Sequence, residues 1–162
     1  MINLMDLPME FDTEKMRWEI NVYKHLQNVP KNKDIEESIK TLNYKPNLRI
    51  YIQGDKNNAE PFYMELAKTI LKDIEKYKDK SIKKIFEWMK LDKRIKKDDF
   101  WIDVINFSDL VYGCQGAFGY KEKMKGFTMV LSITNDEYYG YMEIIIKYTK
   151  SGWPKGIELM FN

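Results

Sequence analysis

An α+β fold, with an antiparallel β-sheet of two early strands and a carboxy-terminal meander packed against two central helices, is what this sequence predicts. Three observations carry it. Apolar residues alternate with polar ones around positions 16–22 and 48–53, they recur at spacings of three and four between 59 and 89, and residues 100–161 are rich in β-branched and aromatic side chains punctuated by glycines.

Taken in order, Met16, Trp18, Ile20 and Val22 alternate with Arg17, Glu19, Asn21 and Tyr23, the period of two that marks a half-buried strand near 15–23. Ile35, Ile39 and Leu42 fall at helical spacing within 34–42, a short helix bracketed by Pro30 and Pro46. Leu48, Ile50 and Ile52 alternate with Arg49, Tyr51 and Gln53 in a second strand that stops at Gly54-Asp55. The first long helix starts at Asn57 or Asn58, whose side-chain oxygens suit a cap. Glu60 lies three residues beyond Asn57, and Pro61 is tolerable in a first turn. Ala59, Phe62, Tyr63, Leu66, Ala67, Ile70, Leu71, Ile74 and Tyr77 form its apolar stripe over about five turns. A break at Lys78-Asp79-Lys80 precedes a second helix from Ser81 to Leu91, with Ile82, Ile85, Phe86 and Met89 facing the core. Strands follow near 101–107, 110–118, 126–134, 139–148 and 156–161, with a turn at Asn135-Asp136 and a bend at Ser151-Gly152-Trp153-Pro154.

With 162 residues and no repeat or linker, the chain reads as one domain, residues 1–162, large enough to bury about two thirds of its unfolded surface. Its one cysteine, Cys114, cannot form an internal disulfide, which fits a reducing cytosol. The amino terminus carries acids and a proline where an export signal needs a basic start and an apolar core. The longest apolar run, Met142 to Ile146, is broken by Glu143 and falls far short of a membrane span. A cytoplasmic protein without a membrane partner is expected.

Few residues suggest chemistry. His25 is the only histidine, which excludes any site needing two imidazoles and reads as structural or exposed. Cys114, between Gly113 and Gln115, reads as a buried inert thiol. The run G-C-Q-G-A-F-G at 113–119 superficially resembles a phosphate-binding loop, but an apparent strand follows it where a helix would be needed. Asp98-Asp99 and Asp136-Glu137 read as the start of an element and as a turn, because adjacent carboxylates lack metal-site geometry. No catalytic residue, cofactor site or metal site is assigned, and the chain is read as non-enzymatic.

Two surfaces remain. Lys and Arg number 27 against 25 acids overall, yet residues 68–97 hold twelve basic and five acidic residues, an excess of +7, while 98–146 hold three and eight, an excess of −5. Lys72, Lys76, Lys80, Lys83, Lys84, Lys90, Lys93, Arg94, Lys96 and Lys97 could converge on nucleic-acid phosphates, although nucleic-acid modules usually add arginine forks or stacking aromatics and this stretch has one arginine. In the other half, Tyr138 and Tyr139 beside Asp136 and Glu137, with Tyr112, combine rigid contact area and negative charge, the composition of a protein-binding edge suited to a basic partner.

The order N-L-R-I-Y-I at 47–52, N-A-E-P-F at 58–62 and F-W-I-D-V-I-N-F at 100–107, followed by closing strands, resembles uncharacterised bacterial domains similar to immunity proteins of polymorphic or contact-dependent toxin systems. The resemblance spans about residues 47–146. It implies a small cytosolic protein that neutralises a cognate toxin by covering its active site, and it assigns no individual residue.

Overall fold

The alternating segments assemble into a seven-stranded sheet in a computed structural model that describes residues 3–22, 24–25, 44–112, 122–134 and 136–161. The strands are β1 (Glu10–Asp12), β2 (Arg17–Asn21), β3 (Tyr44–Gln53), β4 (Phe100–Tyr112), β5 (Glu122–Ile133), β6 (Met142–Thr149) and β7 (Pro154–Phe161), each beside the next in the sheet. Helices α1 (Pro61–Lys72) and α2 (Ile74–Trp88) connect β3 to β4. The α+β architecture holds.

The sheet is not purely antiparallel, however, because β3 and β4 run parallel while all other neighbours are antiparallel. The helical connection is the reason: α1 and α2 return the chain to the end where β3 began, so β4 sets out in the same direction. The sheet is also larger than two strands plus a meander, since β1 pairs with β2 through Glu10↔Glu19, Phe11↔Trp18 and Asp12↔Arg17. Three residues are too short for a period of two to reveal.

Strand register converts the sequence alternation into a core. Ile20, Ile50, Ile105, Met129, Ile146 and Ile157 lie opposite one another across six strands, and all but the half-buried Ile157 are fully buried. The helices cover this face. From α2, Tyr77 meets Phe127 and Tyr148 edge-on at 5.7 and 5.8 Å, and the Ser81 hydroxyl lies 2.6 Å from that of Tyr148. The opposite face carries the polar set of each alternation, with Glu19, Tyr51, Asn106, Thr128 and Lys147 in one row.

Several element boundaries differ from the sequence reading. The helical break falls at Asp73 (φ −116°, ψ 34°), so residues 78–80 lie inside α2. Lys78 is buried with Ile74, Tyr77, Ser81, Ile82 and Ile85 on the inner side of that helix, its long stem filling a place a charged triplet does not advertise. Neither Asn57 nor Asn58 caps α1. Their N–H groups donate instead to the Asp55 carboxylate at 2.9 and 3.0 Å, and the helix starts behind Glu60 with Pro61 in its first turn. The expected strands 101–107 and 110–118 merge into β4 up to Tyr112; the remainder of the second, with Cys114 and its glycines, lies outside the described residues, as does the helix expected at 34–42. Among the described residues, no helix is long and apolar enough to cross a membrane.

Candidate functional site

The acidic, tyrosine-rich segment forms the turn between β5 and β6 where a strand from 139 was expected, and its own side chains explain why. Asp136 accepts the N–H groups of Tyr138 and Tyr139 at 2.9 and 2.8 Å, which curls the chain away from extended geometry. Gly140 N–H donates to the Asp136 carbonyl at 2.9 Å, and a Cβ on Gly140 would stand 2.5 Å from that oxygen, so only glycine closes the turn without displacement. The other Asp136 oxygen meets Arg94 Nη1 at 2.8 Å, with the Asp136 side chain only 5% exposed. Arg94 also contacts Asp92 at 3.3 Å, and the Asp92 N–H donates to the Tyr139 hydroxyl at 3.2 Å. Two contacts from the segment after α2 therefore clamp the turn.

This clamp divides the residues singled out from the sequence. Asp136 and Tyr139 hold the turn and do not present themselves to a partner. Tyr138 is 77% exposed, standing edge-on against Tyr139 at 4.8 Å, and Glu137 beside it is exposed. Tyr112 does not join them. It pairs with Glu122 at the end of the β4–β5 ladder opposite the turn, on the order of 35 Å away along the strand. Tyr141, 68% exposed, takes its place in the patch. The sequence carries no local signal for the contacts of Arg94 and Asp92 with this turn, because about forty residues separate them from it.

Tertiary contacts also divide the basic stretch. Lys78 is buried, Lys97 bonds Asp79 at 2.7 Å, Lys84 bonds Glu87 at 2.9 Å, Lys68 bonds Glu65 at 3.1 Å, and Arg94 is engaged at the turn. Lys80, partly buried, donates to the Gly152 carbonyl at 3.0 Å, while Lys72, Lys76, Lys83, Lys90, Lys93 and Lys96 are exposed. The fold adds one aromatic from outside the stretch, exposed Trp153 of the β6–β7 bend, whose ring lies 5.7 Å from Lys80 Nζ, to exposed Trp88 within it, whose ring lies 5.5 Å from Lys84 Nζ.

A polar network that the sequence did not suggest ties α1 to the ends of the parallel strands. The buried Tyr63 hydroxyl donates to Asp109, the Asp109 N–H donates to Gln53 Oε1 at 3.0 Å, and Gln53 Nε2 donates to Glu60 at 2.9 Å. Burial and the adjacent carboxylate push the Tyr63 phenol far above its ordinary value, while the phenol's hydrogen bond holds Asp109 below the usual carboxylate range. Both displacements move away from neutrality, opposite to the tuning that proton transfer requires. Beside this network, Gly54, Asp55, Asn58, Glu60, Met64 and Glu65 line an open cleft of about 770 Å³. Asp55 there is held below its ordinary value by the N–H groups of Asn58 and Asn57, so its carboxylate serves the loop. His25 lines a smaller cleft, about 230 Å³, with Glu10, Glu19, Lys24 and Arg49. Asp99 accepts the Lys96 N–H at 2.8 Å and closes the short turn that introduces β4. Among the described residues, no group of three or more His, Cys, Asp and Glu side chains is placed to hold a metal ion.

In comparisons with known proteins, no family model, no curated protein and no solved structure matches the chain.

Proposed function

We propose that this chain is a non-enzymatic bacterial protein-binding domain, an immunity protein that neutralises a cognate toxin by occupying it, with the turn carrying Glu137, Tyr138 and Tyr141 as its contact surface. The observation that carries the reading is the combination of exposure and rigidity. Two tyrosines stand in solvent on a turn whose backbone is held by Asp136, Gly140 and Arg94. A backbone already held in place loses little entropy on association, and tyrosine joins a large apolar ring to a polar tip, so residues on such a turn are favoured anchors. Glu137, with Glu143 on the adjoining strand, suits a basic partner. Affinity purification of the tagged protein from its own cells, with and without nuclease, tests this. One near-stoichiometric protein that survives nuclease and is lost from a Tyr138→Ser/Tyr141→Ser variant supports it; capture indifferent to both substitutions overturns the assignment of the surface.

A second reading, a nucleic-acid-associated module, is favoured by exposed Trp153 and Trp88 beside α2, on which Lys76 and Lys83 are exposed, since stacking aromatics near solvent-facing lysines are the parts of a sequence-tolerant single-strand site. Binding of a single-stranded oligonucleotide that weakens steeply with salt and fails in Trp153→Ala would place it first.

A further inference from the structure

The two edges of the sheet are guarded unequally. On one side β1 is three residues long and carries Glu10 and Asp12, a short charged edge of the kind that resists strand addition. On the other, the first half of β7 is protected by Pro154, which lacks an N–H donor, by Lys155, and by the irregularity where Lys147 and Tyr148 meet Gly156 and Pro154. The second half has no such device. Leu159, Met160 and Phe161 are 41%, 51% and 75% exposed, and the single charge there, Glu158, is engaged by Lys147 of β6 at 2.9 Å. Among the described residues, nothing pairs with the outer side of this strand.

We propose that β7 pairs antiparallel with β7 of a second copy of this chain, about a two-fold axis at Leu159. A two-fold axis normal to the sheet sets one residue opposite its own symmetry mate and keeps the helices of both copies on the same face. Four centres are available in the open half-strand. Centring on Glu158 sets two carboxylates face to face, which opposes pairing. Centring on Ile157 brings Met160 against Pro154 and forfeits ladder hydrogen bonds, and centring on Met160 leaves little of the strand overlapping. At Leu159 each Ile157 faces Phe161 of the second copy, each Glu158 faces Met160, and the two Leu159 side chains meet. No charge is set against its like. The apolar row from Ile20 to Ile157 then continues into the neighbouring sheet, and the exposed side chains of both edges leave water together. So short a ladder buries less than the roughly 1,200 to 2,000 Å² of a standard interface, so the dimer is a weak one. The turn bearing Tyr138 and Tyr141 enters β6 at Met142, opposite Phe161 at one end of this edge, and the pairing is tested by substitutions that leave the turn itself unchanged.

Sedimentation equilibrium on the full chain from about 1 µM to about 1 mM covers the range of a weak dimer. The expected result is a reversible doubling of mass that Leu159→Lys abolishes while leaving the thermal midpoint in place. In a Cys114→Ser background, Leu159→Cys forms a disulfide-linked dimer on mild oxidation and Lys155→Cys does not, because directly opposed residues of an antiparallel pair have Cα atoms within disulfide range. A monomer across the whole range, or a dimer that survives Leu159→Lys and fails to cross-link at 159, overturns the proposal.

Discussion

Tyr63 and Asp109 meet across 46 residues of sequence, one fully buried and the other at the rim, and together they fasten α1 to the strand that follows the helices. Removing the phenol by Tyr63→Phe takes one charge-assisted hydrogen bond from a carboxylate that water can reach, so the loss at neutral pH is about 1 kcal/mol. Its pH dependence has a definite sign. Asp109 is held below its ordinary value in the folded chain, so its contribution is complete above the unfolded value of about 3.9 and disappears as pH falls through the lowered native one. Urea unfolding of both proteins from pH 7 into acid is therefore expected to converge; a gap that persists unchanged once Asp109 is protonated would mean the phenol acts through packing alone. Asp136 is a second residue with more than one role, accepting two N–H groups and one guanidinium, and Asp136→Ala is expected to cost about 2 kcal/mol in the same assay, well beyond an exposed surface change.

Between strands, close approach decides which glycines are replaceable. A Cβ on Gly126 would lie 2.1 Å from the Tyr148 carbonyl oxygen and 2.9 Å from a Leu110 methyl, so β5 cannot carry a side chain there without pushing β6 away. At Gly156, in β7, nothing lies within 4 Å of the same position. Gly126→Ala is expected to destabilise by about 3 kcal/mol or more, whereas Gly156→Ala falls within about 0.5 kcal/mol of the parent. Thermal melts of the two variants make the comparison; equal effects would show that the β5–β6 spacing yields easily. The helices follow the same logic of burial over local pattern. The Asp73 N–H bonds the Ile70 carbonyl at 3.1 Å as α1 ends, and α2 continues through Lys78-Asp79-Lys80 because its inner face has somewhere to be buried.

Across the whole molecule, charge and aromatic surface are sorted into separate regions, with lysines and two tryptophans along α2 and its neighbouring bend, and tyrosines with acids on the β5–β6 turn. A protein partner held at the turn would respond to Tyr138→Ser with a tenfold or greater loss of affinity, the size of an anchoring aromatic, and with no change in thermal midpoint. Titration calorimetry against the captured partner separates this from a folding defect. An affinity that instead follows Trp153→Ala and salt would transfer the binding role to α2.

The strands carrying the core and the existence of two helices were legible in the sequence, because periods of two and of three to four record which side of each element is buried. Ile20, Ile50, Ile105 and Ile146 declare their inward face wherever the strand is placed. So does the turn at Asp136, whose short carboxylate reaches its own backbone two and three residues on. What only the tertiary structure decided depends on groups distant in sequence: the parallel direction of β4, the burial of Lys78, the Arg94 clamp, the Tyr63–Asp109 bond, and the exchange of Tyr112 for Tyr141 in the exposed patch. Local pattern states which residues leave water. Which of them meet is settled by strand order and register, since the turn and the segment carrying Arg94 come together only once the sheet and helices have set the path of the chain between them.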